Sequence, residues 1–115
     1  MKPIRYKLDY DWVWSHNSLG TRTLRLIIKD DDPAKLRTAV TSYIRSLPTD
    51  ANGIAGRGGW AIYPNVNEST PNAIVIDIVS GGEDVADGIE DGADYAYNHL
   101  RKTAGITLEW RQLED

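Results

Sequence analysis

Six carboxylates, Glu83, Asp84, Asp87, Glu90, Asp91 and Asp94, fall within the twelve residues EDVADGIEDGAD, which contain no lysine or arginine. At about 100° per residue a helix gathers them into an arc of roughly 120°, with Val85, Ala86, Ile89, Ala93, Ala96, Tyr97 and Leu100 on the opposite arc. Acids in a first helical turn are stabilised by the helix dipole, but the effect fades within a turn and does not reach Glu90, Asp91 or Asp94. Those three repel their neighbours, since like charges four apart cost about 0.2–0.5 kcal/mol per pair. Two readings follow. The face is a solvated surface that keeps the chain soluble, or it docks electrostatically onto a basic surface. A row of carboxylates along a helix can imitate a stretch of phosphate backbone.

Gly88 and Gly92 lie on the seam between the acidic and apolar arcs, together with Tyr95 and His99. Each glycine costs a helix interior about 1 kcal/mol relative to alanine, so the seam implies close backbone approach. Either another helix or a partner comes near, or the seam abuts the first helix of the domain, the more ordinary outcome.

The other candidates are weaker. Arg57, Gly58 and Gly59 in IAGRGGW could cradle a small anion, with backbone N–H groups and one guanidinium. The stretch lacks the lysine and hydroxyl of a P-loop and opens no helix, so a plain connector is the simpler reading. Set against the RNA-recognition pattern, RGGWAIY has Gly59 and Ala61 where stacking aromatics are required, so direct nucleic-acid binding is disfavoured. Asp30, Asp31 and Asp32 before Pro33 read as a helix cap rather than a metal site. His16 and His99 have no ligand or triad spacing, and no cofactor is implied. The expectation is therefore a protein that is not an enzyme.

From Ile4 to Trp14 apolar and polar residues alternate, with Tyr6, Leu8, Tyr10, Trp12 and Trp14 on one side. The alternation predicts a long strand whose far end overshoots the sheet and leaves Trp12 and Trp14 as an apolar contact, for a partner or for a homodimer formed by strand pairing. After a polar turn, TRTLRLIIKD predicts a second strand and a hairpin with the first. Pro33 to Leu47 has helical spacing, with Asp32 as cap and Pro48 as stop. A glycine-rich loop, two strands (GWAIYPNV and NAIVIDIV) around NESTP, the acidic helix from Ser80 to Gly105, and a last strand ITLEWRQL complete the chain.

The order ββαββαβ contains, from Thr21 onward, the split βαβ arrangement of ferredoxin-like folds behind an extra N-terminal strand. The expected architecture is α+β: residues 1–115 as a single domain, with one antiparallel sheet carrying both helices on one face. Of the 115 residues, 41% are apolar and 26% charged, the net charge is −4, and there is no cysteine. The composition suits a globular protein held by packing, and the acidic balance disfavours a nucleic-acid binder. No apolar run reaches membrane-spanning length, so no membrane role and a cytoplasmic location are expected.

These features predict a small acidic protein that binds another protein. It would act as an inhibitor or decoy, docking the carboxylate face onto a basic surface such as that of a nucleic-acid-handling enzyme. In general character the chain resembles phage counter-defence and toxin-neutralising immunity proteins, without a family motif. A small anionic-ligand module built on Arg57 is the alternative.

Overall fold

The structure is a computed structural model that describes residues 3–15 and 20–114. The expected turn around His16 lies outside the described residues. Five strands form one antiparallel sheet in the order β2-β3-β4-β1-β5: β1 (Thr21–Lys29), β2 (Ala55–Arg57), β3 (Trp60–Pro64), β4 (Ala73–Gly81) and β5 (Thr107–Gln112). Among the described residues three α-helices accompany them, α1 (Tyr10–Val13), α2 (Pro33–Arg45) and α3 (Val85–Leu100).

The first segment departs from expectation. Residues 3–9 form a strap without regular secondary structure, and Tyr10–Val13 is helical. Asp9 caps the helix by accepting from Trp12 N–H at 3.1 Å, a local bond that competes with extended backbone. Trp12 and Val13 are consecutive and both buried, which period-two geometry forbids and a helical turn allows. Among the described residues the expected hairpin is therefore absent. β1 instead lies between β4 and β5, with Leu26 paired to Ile76 on one side and Trp110 on the other.

Alternation works as expected in the central strands. Leu24, Leu26 and Ile28 of β1, Ile76 and Ile78 of β4, Ile62 of β3 and Leu108 of β5 share one buried face. Onto it pack Leu36, Ala39, Val40 and Tyr43 of α2, and Val85, Ile89, Ala93, Ala96 and Leu100 of α3. The other face carries cross-strand ion pairs, Arg25 with Asp77 and Lys29 with Glu109, each with a shortest separation of 2.8 Å.

α2 starts as its sequence predicts. Asp32 accepts from the N–H groups of Ala34 and Lys35, and Pro33 opens the helix. Two boundaries move. Part of the glycine-rich segment pairs as β2, and Gly58 and Gly59 form the two-residue turn of a β2–β3 hairpin in which Arg57 faces Trp60. Gly58 takes φ +53°, a conformation such a turn favours and side chains resist. Ser80 and Gly81 belong to β4, so α3 begins only at Val85, leaving Glu83 and Asp84 ahead of its first turn.

Candidate functional site: an acidic groove beside Trp60

The first turns of α3 run alongside the β2–β3 turn, and between them lies a groove of about 440 Å³. Its lining brings together Asp84, Asp87, Glu90, Asp91 and Asp94 with Gly59, Trp60 and Gly88. Glu83 is exposed just before it. Five of the six carboxylates singled out above thus border one concavity.

The glycines explain how α3 gets there. A Cβ on Gly88 would overlap Ser80 Oγ and stand 2.8 Å from Ser80 Cβ, and one on Gly92 would stand 2.7 Å from Ile78 Cγ2 and 3.2 Å from Trp60 Cδ2. Distances this short are below ordinary van der Waals contact, so both positions must lack a side chain. The close approach is to the sheet, at β4 and β3, and not to α2 or another helix. The α2 contact falls further along the seam. There Tyr95 Oη lies 2.7 Å from Ser46 Oγ, and His99 Nε2 lies 3.2 Å from Ser42 Oγ. Burial, with Lys102 adding repulsion, lowers the His99 pKa from its usual value.

The carboxylates are held unequally. Trp60, buried except for 4% of its surface, donates its indole N–H to Asp91 Oδ2 at 2.7 Å. Asp94 Oδ1 accepts from Arg5 at 3.1 Å, and the Arg5 guanidinium lies over the Tyr97 ring, 5.6 Å from its centroid. Asp84, Asp87 and Glu90 are exposed, and among the described residues none donates to their side chains. The groove therefore has one fixed carboxylate, one already paired, and three that face solvent. An oxygen-rich wall of this kind attracts ammonium or guanidinium groups.

Neither Trp60 nor Arg5 stands out in the sequence as a partner of the acidic row. Trp60 is readable only as part of the expected strand GWAIYPNV, and Arg5 falls on the polar side of the expected first strand.

The remaining candidates are placed elsewhere. Arg57 lies over the Tyr95 ring at 5.4 Å, and Gly58 and Gly59 border a second concavity of about 490 Å³ with Gly56, Tyr63 and Val79. Trp12 is not an exposed contact: it is buried, donates to the Leu113 carbonyl at 3.2 Å, and lies under the Arg22 guanidinium. Trp14 is 45% exposed and follows Tyr10 by four residues, so the outward aromatic pair is Tyr10, which opens α1, and Trp14, its C-cap. The aspartate triplet is engaged locally, with Asp32 as the cap and Asp30 paired to Lys35 Nζ at 2.9 Å. Lys35 holds the Asp30 carboxyl below its usual pKa. Among the described residues no group of three or more histidines, cysteines or carboxylates has the placement to hold a metal ion. No helix among them is long and apolar enough to cross a membrane.

No protein-family profile, curated protein or solved structure matches the chain.

Proposed function

We propose that the protein binds a partner protein through the acidic groove and acts as an inhibitor or decoy, presenting its carboxylates in place of phosphates to a nucleic-acid-handling enzyme. The observation that carries this reading is the Trp60 bond to Asp91. It fixes one carboxylate of the row in position, so less side-chain freedom is lost on docking. From Asp84 to Asp94 the row covers about 15 Å of helix, long enough to meet several basic side chains at once. In this reading the protein is cytoplasmic and not an enzyme, and the exposed Trp14 with Tyr10 adds an apolar contact.

The fold belongs to the same proposal. A ferredoxin-like split βαβ arrangement is supported by the stretch β3-β4-β1-β5 of the strand order, with β2 as an added edge strand. The anionic-ligand alternative at Arg57, Gly58 and Gly59 draws less support. Gly59 also walls the carboxylate groove, so an anion at this turn would sit near Asp87 and Asp91.

The test uses the three carboxylates of the groove that, among the described residues, carry no internal bond. Wild type and an Asp84→Lys/Asp87→Lys/Glu90→Lys variant are used side by side to capture proteins from a bacterial lysate, and bound proteins are challenged with duplex DNA. A basic protein held by the wild type, released by DNA and lost by the variant supports the decoy reading. Equal capture by both overturns it.

A further inference from the structure

The acidic face already has a cationic occupant from its own chain. The strap of residues 3–9 makes no strand or helix and is fixed by side chains: Trp110 Nε1 donates to the Ile4 carbonyl at 2.7 Å, Tyr6 Oη donates to Gln112 at 2.9 Å, and the Tyr6 and Trp110 rings lie 5.7 Å apart. Ile4 and Tyr6 are thus tied to β5. Arg5, between them, reaches α3, where its guanidinium sits between the Asp94 carboxylate and the Tyr97 ring. Asp94 is also a wall of the groove. We propose that the strap is an autoinhibitory element: Arg5 occupies the far end of the acidic groove, and a partner's arginine must displace it to engage the full row.

This rests on the reading of the groove as a docking site, and it adds the chemistry of the group that docks. A guanidinium over an aromatic ring and against a carboxylate is a mode that arginine fills better than lysine. The Arg5 side chain remains 58% exposed, so its pairing is screened by salt and open to exchange. An incoming guanidinium offers Asp94 the same bond that Arg5 gives up.

The experiment measures binding of a labelled arginine-only nonapeptide to the full chain at about 0.01 M ionic strength, where charges act over about 30 Å. Wild type, Arg5→Ala and Lys7→Ala are compared. Lys7 is an exposed strap residue, so its loss removes the same charge without freeing Asp94. Arg5→Ala is expected to bind about two- to five-fold more tightly than Lys7→Ala, the range set by an exposed ion pair. Equal binding of the two variants, or weaker binding by Arg5→Ala, overturns the strap while leaving the groove reading intact. If none of the three proteins binds the peptide, the groove reading fails and the strap with it.

Discussion

α2 and α3 lie side by side on one face of the sheet, and they are held there differently. α2 is specified by its own ends and one apolar stripe. Asp32 caps it, Pro33 starts it, and it contains no glycine and no acid. In α3 the residue at the cap position, Asp84, makes no side-chain capping bond; two glycines interrupt the helix, and four acids face outward from it. By intrinsic preference α3 is the poorer helix, by about 1 kcal/mol for each glycine. It is secured by contacts that its own sequence does not contain: Ser80, Ile78 and Trp60 press on Gly88, Gly92 and Asp91. A helix whose inner face is gripped so closely can carry a repulsive row on its outer face.

The largest expected effect breaks the comparison if it fails. In an exposed helix, glycine to alanine stabilises by about 1 kcal/mol. Gly88→Ala should instead destabilise by about 1–3 kcal/mol in urea unfolding, because the new Cβ must displace Ser80 or lift the helix from β4. A stabilised variant would refute the close packing of α3. Asp91→Ala should cost about 1–2 kcal/mol, because it strands a buried indole N–H, whereas Glu90→Ala should change stability by less than about 0.5 kcal/mol. Equal costs would mean that the row is not divided into a fixed carboxylate and solvated ones. On the α2 side, Asp32→Ala should cost about 1 kcal/mol through loss of the cap, with the peptide affinity of the groove unchanged.

The smallest effect concerns pH. Folding lowers the His99 pKa, so below about pH 6.5 the unfolded chain takes up a proton that the folded chain resists. Stability should therefore fall as pH drops from about 7.5 to 5, and His99→Gln should flatten that part of a Tm profile. At lower pH the carboxylates of Asp30 and Glu109, held down by Lys35 and Lys29, add a further loss as they protonate. An identical slope in wild type and His99→Gln would remove His99 from the account.

The contrast between the helices also marks what the sequence can disclose. The start of α2, the apolar faces of β1 and β4, and the acidic arc of α3 depend on neighbours within a few residues, so their patterns are local and readable. The strap departs from its alternation for the same reason. Alternation from Ile4 to Trp14 records hydrophobicity alone, and the cap that Asp9 offers Trp12 wins over it. The groove needs Trp60 beside Asp91 and Arg5 beside Asp94, pairs 31 and 89 residues apart. Two glycines in α3 announced a close approach, but nothing in their spacing said that the surface approached was β4.

The place of β1 in the sheet has a consequence for how the chain is made. Among the five strands of the sheet it leaves the ribosome before the others, yet both of its neighbours, β4 and β5, come much later. Until then Leu24, Leu26 and Ile28 have no sheet to join, and closing such long loops slows folding. The acidic helix is synthesised between those two neighbours, so most of the chain's negative charge is present before the last edge of the sheet can close. During that interval charge repulsion between nascent chains would oppose the aggregation that an unpaired apolar strand invites.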